Sequence, residues 1–350
     1  MVEGRRNLLV TLADKKYLNE AKQLFSSVYW NAGWQWDYML LSHEIPDEDL
    51  LWFKNKGILI KDCTPLFDRK TGEFDYPPVI FDKFYLFTPE FKKWQTVIFL
   101  DSDIIVKGSL DQLTKIKYFG AVQDIYFNKL YAHFFNPDKN KYLDKTYNLN
   151  VAAFNSGVFC FNTAIITPQL FSELNKLVKN HISDFRYPEQ AALNLAFYGK
   201  WKKMPWIYNT YLIFHKFKLP KKIKPINLHF FATQNNPLWN PENPFYQEWV
   251  INRERSEYID LNKIQKVKKW NPVKIWFYNL KMYVLILGTL APDRIKKFFY
   301  IYDICSFFVH IVPYNIQSIK KTTIRFFGKI GTVVRKQYPN FYNKIRRLIK

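Results

Sequence analysis

The sequence predicts an α/β protein in which helices flank a mostly parallel sheet, followed by a basic, aromatic, helical appendage at the C-terminus. Short apolar runs of strand length alternate with segments whose apolar residues recur at helical spacing, the pattern of a parallel sheet covered on both faces. The 350 residues are 48% hydrophobic with only 11 glycines, which excludes a disordered or fibrous chain. The net charge of +22 is high for a globular domain, and its position along the chain identifies the appendage.

The predicted strands and helices follow one another through the first part of the chain. The run NLLVTLA (7–13) predicts a strand, and the apolar spacing of 17–32 predicts a helix behind it. The segment FDKFYLFTPEF (81–91) predicts a helix that leads into the strand TVIFL (96–100). Further strands are predicted at DYMLLS (37–42), GILIKDC (57–63) and FGAVQDI (119–125). Ligands of such sheets bind beyond the carboxyl ends of the strands, so the residues after TVIFL lie at the ligand edge.

Two carboxylates occupy that position. Asp101 and Asp103 follow the strand directly, with Ser102 between them. Beyond the end of a strand, the first and third residues of a turn can direct both carboxylates to one point, where they repel each other unless a cation joins them. Oxygen ligands suit Mg²⁺ or Mn²⁺, which keep positions open for phosphate oxygens. The motif therefore indicates a metal that bridges to a diphosphate; the alternative is an ordinary solvated turn.

The positive charge is concentrated in the last 90 residues. Residues 261–350 contain 19 Lys and Arg against Asp293 and Asp303, a net charge of +17, while the first 260 residues carry the remaining +5. Lys281 and Asp303 interrupt the two most apolar stretches, so neither offers the roughly 20 apolar residues of a membrane span. Aromatic and aliphatic patches between basic residues are typical of helices that lie on an anionic membrane surface. The alternatives are helices that pack on the first domain, and a surface for single-stranded nucleic acid.

The cysteines and the N-terminal residues indicate the compartment. Cys63, Cys160 and Cys305 are far apart and form no C-x-x-C spacing, which favours a reducing compartment over a disulfide framework or a structural zinc site. The first 17 residues have charges but no long apolar core before a cleavage site, so we expect a strand there and no signal peptide. The sequence thus predicts a cytoplasmic protein, peripheral on the membrane.

A set of short segments, in one order and spacing, resembles the glycogenin-like family of retaining glycosyltransferases, often numbered family 8. The resemblance covers about residues 7–240, and the segments are VTLADKKYL, FDKFYLF, VIFLDSDIIVKGSLDQL, AVQDI, FNSGVFCFNT, YPEQAALNLAF, MPWIYNTY and NLHFFATQNNPLW. It implies a GT-A fold, a nucleotide-diphosphate sugar donor, usually a UDP-sugar, and Mn²⁺. Residues 1–240 would form this catalytic domain, and 241–350 the membrane-associating region.

The resemblance also implies where metal and donor bind. Asp101 and Asp103 would be joined by His229 as metal ligands, and an imidazole ligand favours Mn²⁺ over Mg²⁺. Without the resemblance, His229 would be interpreted as a satisfied histidine at a strand end. The residues that the family would use for the donor are Thr11, Leu12 and Tyr17 around the uracil, Lys83 at the ribose and phosphates, Ser102 between the carboxylates, and Asn155, Ser156 and Gly157 at the sugar.

Three residues would serve the reaction at the anomeric carbon. Glu189 and Gln190 match the Asp-Gln pair of the family, and Asp124 would hydrogen-bond the sugar hydroxyls. A carboxylate or dipole opposite the leaving diphosphate stabilises the oxocarbenium-like charge. Retention then follows front-face attack or a covalent intermediate on Glu189, and the sequence does not choose between them. The alternative role of Glu189 is that of an ordinary first-turn residue of a helix.

One segment departs from the family pattern. In HFFATQNNPLW, Ala232 stands where the family has glycine, and Asn235 or Asn236 stands where it has the lysine that holds the diphosphate. We therefore expect phosphate contacts from backbone amides and Lys83, or weak donor binding.

The expected function is that of a Mn²⁺-dependent retaining hexosyltransferase that moves a sugar from a UDP-sugar to a glycan or lipid-linked acceptor at a membrane surface. No nucleic acid is expected as a partner. The alternatives are a self-glycosylating primer of the glycogenin kind, for which 23 tyrosines offer acceptors, and a non-catalytic scaffold that binds nucleotide or glycan.

Overall fold

The computed structural model describes residues 7–290, except 69, 71–74, 126–127, 136–145, 212–223, 231–238 and 268, with side chains described as far as 282. Two compact units divide the chain at Ile286, and the described part of the second is the end of one helix. The described strands are β1 Asn7–Ala13, β2 Asp37–His43, β3 Leu59–Cys63, β4 Thr96–Leu100, β5 Ile104–Val106, β6 Phe119–Gln123, β7 Phe154–Asn162, β8 Trp201–Met204, β9 Thr210–Tyr211 and β10 Asn227–His229. The described α-helices are α1 Leu18–Ala32, α2 Asp47–Asn55, α3 Leu170–His181, α4 Pro188–Ala196, α5 Tyr246–Arg255 and α6 Pro272–Leu290.

A seven-stranded sheet forms the centre of the first unit, with strand order β3-β2-β1-β4-β7-β6-β8. All neighbouring strands are parallel except β7, which is antiparallel to both β4 and β6. The sheet has a hydrophobic core on each face, and successive side chains along a strand point alternately into one core and the other. In β1, Leu9 lies in one core, and Leu8 and Val10 lie in the other. Helices therefore cover both faces, and the α/β class predicted from the alternating pattern is confirmed.

The segment before β4 differs from the predicted helix over 81–91. It forms two 3₁₀ helices, Pro78–Phe87 and Pro89–Lys93, because Pro89 interrupts the backbone hydrogen bonding of a single helix. Side chains three residues apart lie above one another in a 3₁₀ helix. Phe81, Phe84 and Phe87 have this spacing and are fully buried in one core, so the aromatic period of three suits the observed form.

A second, three-stranded sheet has the order β5-β10-β9. Strand β10 is antiparallel to β5, which follows the Asp101–Asp103 turn, and this pairing sets His229 opposite Ile104. Helix α1 holds β5 from the other side: Gln23 donates to the carbonyl of Ile104 at 2.6 Å, and the Ser27 hydroxyl accepts from the Val106 amide at 3.0 Å. The turn between β4 and β5 is thus fixed from two directions.

The described residues from 241 to 282 belong to the first unit and pack against its earlier elements. Arg255 at the end of α5 stacks over the Trp30 ring at 4.3 Å, and Asn279 of α6 accepts from the Trp206 amide at 2.6 Å. Ile275 and Met282 are buried on one side of α6, while Phe277 is exposed on another. This packing agrees, for the described residues as far as 282, with the alternative interpretation of the C-terminal region as helices that pack on the first domain.

The predicted boundary at residue 240 and the membrane role of 261–350 stay predictions, and residues 291–350 lie outside the described part of the chain. Among the described residues, no helix combines the length and apolar character needed to cross a membrane.

Candidate active site

Three side chains that could bind a metal meet at the end of β4. Asp101 and Asp103 flank the turn after Leu100, and the register of β10 brings His229 beside them. One ligand atom from each residue lies within 4.8 Å of the others. The two carboxylates are about one-third exposed, whereas the imidazole is fully buried. A cation held by this group would therefore be anchored from the interior and open toward the sheet edge.

His229 is paired with the acidic residues. Its Nε2 lies 3.2 Å from Oδ1 of Asp103 and 3.9 Å from Oδ2 of Asp101. Burial disfavours the charged form of His229, but the carboxylate of Asp103 outweighs it and raises the pKa of the imidazole. Desolvation likewise disfavours ionised Asp103, yet His229 lowers the pKa of that carboxyl below its ordinary value. The positive charge of the imidazolium thus faces the two carboxylates, whose negative charge a bound cation would neutralise in its place.

Gly157 provides the room for such a cation. A Cβ atom at this position would lie 2.5 Å from Cε1 of His229 and 2.6 Å from Oδ2 of Asp101, both too close for any larger residue. The Gly157 carbonyl also accepts a hydrogen bond from the Asp101 amide at 2.9 Å. Two carboxylates and one imidazole form a mixed oxygen and nitrogen donor set that suits a divalent metal ion. The residues present therefore fit a divalent cation.

Lys83 connects this cluster to a second one. Its Nζ lies 3.0 Å from Oδ1 of Asp101 and 3.0 Å from Oε1 of Glu189. The side chains of Lys83 and Glu189 are buried, whereas that of Asp101 is partly exposed. Burial lowers the pKa of a lysine, but the two carboxylates outweigh it and raise the pKa of Lys83. The ammonium is therefore a permanent positive charge between the two clusters.

The second cluster begins at the N-terminus of α4. Glu189 and Gln190 are buried in its first turn, which Pro188 opens. Oε2 of Glu189 accepts from the Ser156 hydroxyl at 3.1 Å, and Oε1 of Gln190 accepts from the Ser156 amide at 3.0 Å. Burial raises the pKa of Glu189, although Lys83 opposes the shift. Strand β7 is antiparallel to its neighbours, so its first residues lie at the same edge as the carboxyl ends of β4 and β6.

The amide of Gln190 extends the network to Asp124. Its Oε1 also accepts from Nδ2 of Asn155 at 3.0 Å, while its Nε2 lies 3.4 Å from Oδ2 of Asp124. Asp124 is fully buried one residue beyond β6. Asp124, Gln190 and Asn155 thus form one buried polar network beyond the end of the sheet.

Comparison with known proteins identifies the fold and the family. The model of "Glycosyl transferase family 8" matches residues 8–237. The chain belongs to glycosyl transferase family 8. Its relatives include galactinol synthase 2 of Solanum lycopersicum, 25% identical over 183 residues, which are 48% of this chain and 52% of that protein. Galactinol synthase 1 of Ajuga reptans is 23% identical over 244 residues, 65% of this chain and 68% of that protein. The chain therefore spans about half the length of the tomato relative and two thirds of the other.

Solved structures show the same fold. The bifunctional glycosyltransferase WbbM superimposes with a TM-score of 0.57 at 20% identity, covering 76% of this chain and 52% of that one. The galactosyltransferase LgtC, solved with donor and acceptor sugar analogues, gives a TM-score of 0.53 at 16% identity, covering 75% of this chain and 97% of that one. The first unit therefore has the GT-A fold expected of family 8.

The residues expected around the nucleobase lie near the metal cluster of this family 8 fold. The Thr11 hydroxyl donates to the carbonyl of Leu100 at 2.7 Å, so its side chain ties β1 to β4. Tyr17 is half-buried, and its ring meets that of Trp239 edge-on at 6.0 Å. Burial raises the pKa of Tyr17, with a further contribution from Asp103. Leu12 and Ser102 are also buried. Ala232, Asn235 and Asn236 lie outside the described residues.

Two site residues were missed by sequence reasoning. Asn209 is fully buried and accepts from Nδ1 of His229 at 2.7 Å. It lies in MPWIYNTY, which carries the family 8 resemblance, and a polar residue in that apolar frame was the available signal. Glu20 of α1 is almost fully buried, and burial, with Asp103 adding to it, raises its pKa to about 7. No motif indicated it, because a single glutamate on a helix is normally exposed.

Proposed function

We propose that the protein is a retaining hexosyltransferase that moves a sugar from a UDP-sugar to a glycan or lipid-linked acceptor with the help of Mn²⁺. One observation carries the proposal. Lys83 touches both the Asp101 carboxylate and Glu189, so the cluster suited to a metal and a diphosphate adjoins the cluster suited to the anomeric carbon. Transfer from a sugar diphosphate requires these two environments side by side, because one holds the leaving group and the other the reacting carbon.

The residues of the first cluster serve the leaving group. Asp101, Asp103 and His229 would hold the cation, which supplies Lewis acidity that neutralises the departing β-phosphate. The buried ammonium of Lys83 contributes a second positive charge at the same side. Tyr17, near Asp103, offers an aromatic face for the uracil.

The residues of the second cluster serve the sugar. Asp124 and Asn155 present acceptors and donors for hydroxyl groups. Glu189 presents a carboxylate, and the amide of Gln190 is held by Ser156. These groups stabilise positive charge at the anomeric carbon as the bond to the diphosphate breaks. Retention arises either by attack from the same face or through a bond to Glu189, and both routes use this placement.

The C-terminal residues supply the proposed membrane contact. In the described part of this region, residues 261–282 contain no Asp or Glu, and Ile264, Val273 and Phe277 expose apolar side chains. With the charge of +17 over 261–350, this composition supports attachment to anionic lipid, which would place the site near a lipid-linked acceptor. We propose a cytoplasmic, peripheral location on that basis.

The experiment is a panel of UDP-sugars incubated with the full chain and Mn²⁺. We expect hydrolysis or transfer with one sugar, loss of both in the presence of EDTA, and loss in Asp103→Asn. NMR of the product should show the anomeric configuration of the donor, and an inverted product would contradict the proposed stereochemistry. Binding of UDP-sugar without turnover would favour the scaffold, and sugar found on the protein by mass spectrometry would favour the self-glycosylating primer.

A further inference from the structure

We propose that Asn209 is a positioning residue that holds a proton on Nδ1 of His229, so that Nε2, which faces the carboxylates, is the ring nitrogen that can give up its proton and bind a cation. This inference rests on the proposed metal-binding role of His229. It concerns a residue outside the predicted site, and it follows from the directions of four buried hydrogen bonds.

The first two bonds fix the orientation of the amides in the network. A backbone N–H group can only donate a hydrogen bond. The Gly157 amide points to one side-chain atom of Asn155 at 3.0 Å, so that atom is the carbonyl Oδ1. The Ser156 amide points in the same way to Gln190 at 3.0 Å, so this atom is Oε1. The Nδ2 group of Asn155 then donates to Oε1 of Gln190, which agrees with both assignments.

The next two bonds carry the assignment to the imidazole. Because Oδ1 of Asn155 is an acceptor, the atom of Asn209 that meets it at 2.9 Å is the donor Nδ2. The other end of Asn209 is therefore Oδ1, an acceptor, and it lies 2.7 Å from Nδ1 of His229. Nδ1 must then carry a proton. All three side chains are nearly or fully buried, so competing hydrogen bonds from solvent are excluded.

The consequence concerns the opposite nitrogen. Nε2 lies 3.2 Å from Asp103 and carries the second proton of the imidazolium. With Nδ1 held by Asn209, a bound cation would displace the proton on Nε2 and use the lone pair of that nitrogen. Metal-binding histidines commonly have their free nitrogen oriented in this way by a hydrogen bond from the other one. Here that bond goes to the amide of Asn209, whose Nδ2 donates to Asn155, and Asn155 in turn donates to Gln190. The same residues thus orient the metal ligand and the amide at the proposed sugar site.

The test measures the tautomer directly. Long-range ¹H–¹⁵N NMR of the histidine rings in full-length protein loaded with diamagnetic Zn²⁺ should show His229 with its proton on Nδ1, assigned by its loss in His229→Gln. Asn209→Leu, of similar size but without an acceptor, should shift His229 toward the Nε2–H form and weaken Mn²⁺ binding by about 10- to 100-fold. Asn209→Asp keeps the acceptor and should keep the Nδ1–H form.

Asn194→Leu is the matched control. Asn194 is equally buried, and its amide bonds the backbone of Phe154 and Gln190 without touching His229. This variant should leave the tautomer unchanged. An Nε2–H signal in the unmodified protein, or an unchanged tautomer and Mn²⁺ affinity in Asn209→Leu, would overturn the inference. If Asn209→Leu does not fold, Asn209→Asp decides, because loss of the Nδ1–H form there contradicts the proposal. None of these readouts needs a sugar donor, so failure of the proposed transfer reaction is seen separately.

Discussion

The ammonium group of Lys83 lies 3.0 Å from the carboxylate of Glu189, and both side chains are buried. Removing one member of a buried ion pair costs more than the pair itself contributes, because the remaining charge loses its partner without regaining water. This pair joins the 3₁₀ helix Pro78–Phe87 to the first turn of α4. The positive charge of Lys83 therefore contributes to the stability of the fold as well as to the proposed chemistry.

We expect Lys83→Met to lower the free energy of unfolding at neutral pH by about 3 kcal/mol. Burial already raises the pKa of Glu189, and loss of the ammonium raises it further. The folded variant then binds a proton more tightly than the unfolded chain, so its stability is retained at low pH and lost as pH rises through that pKa. Urea unfolding at several pH values measures this. Lys83→Arg, which keeps the charge, is the control, and equal losses in both variants would contradict the electrostatic explanation.

Gly157→Ala should weaken Mn²⁺ binding at least tenfold and leave the fold intact. The added Cβ would overlap His229 and Asp101, so both ligands must move apart, at a cost of about 1–3 kcal/mol in stability. Calorimetric titration with Mn²⁺ measures the affinity. Gly108→Ala is matched to it, because the nearest atom to a Cβ there is a side-chain carbon of Ile226 at an ordinary 3.6 Å. Undiminished binding in Gly157→Ala would place the cation elsewhere.

Glu189→Gln and Gln190→Ala should lower turnover by about 10² or more, while donor affinity changes only severalfold. The reason is that their interactions with the anomeric carbon strengthen as positive charge develops. Initial rates and calorimetric UDP-sugar affinity separate the two effects. Gln169→Ala, just before α3, serves as a control for loss of a glutamine away from the site. Parent rates in both active-site variants would remove the proposed catalytic roles.

Glu20→Gln should stabilise the protein above neutral pH. Burial raises the pKa of Glu20 to about 7 from its ordinary value of 4.5, so the folded chain holds a proton there that the unfolded chain has released. Stability contributed by the protonated carboxyl is present at acid pH and falls as pH rises between these values. The neutral amide avoids this loss, by about 2–3 kcal/mol at pH 8 and by nothing near pH 4. Thermal melts across this range test it, with exposed Glu48→Gln as control; a constant difference would contradict the titration.

The full chain should bind vesicles that contain anionic lipid, and added salt should weaken that binding only in part. Charge screening removes the attraction of the basic residues, whereas insertion of exposed apolar groups such as Phe277 persists. Sedimentation with anionic and neutral vesicles measures this. A chain ending at residue 290 retains the packed helices and should bind more weakly. Binding to single-stranded nucleic acid in place of vesicles would contradict the membrane proposal.

The alternating pattern predicted the sheet well because strand runs such as NLLVTLA are mostly apolar and are buried at every position, as strands covered on both faces must be. It failed between residues 78 and 93, since a buried α-helix and two 3₁₀ helices present almost the same apolar content. The prolines and the spacing of three between the phenylalanines distinguish the two forms. This spacing becomes informative only once the structure shows which side chains are buried.

The site was predictable where residues stand next to one another in the chain, as Asp101 and Asp103 do, and His229 came only with the family resemblance. Its position depends on the antiparallel register of β10 with β5, a pairing with no local signal. Asn209 and Glu20 show the limit more clearly. Each is an ordinary polar residue in the sequence, and its role arises from burial against partners distant in the chain.

The division of strands between the two sheets has a consequence for biosynthesis. A nascent chain emerges N-terminus first, and every strand of the seven-stranded sheet has been made once Met204 leaves the ribosome. His229 belongs to β10 of the other sheet and is translated later. A chain stalled before β10 therefore carries both aspartates but lacks the third ligand, and a cation would gain its full set of protein ligands only after the smaller sheet closes. Binding of a cation by all three residues would therefore occur only after β10 has been translated, when every strand of the larger sheet has already been made.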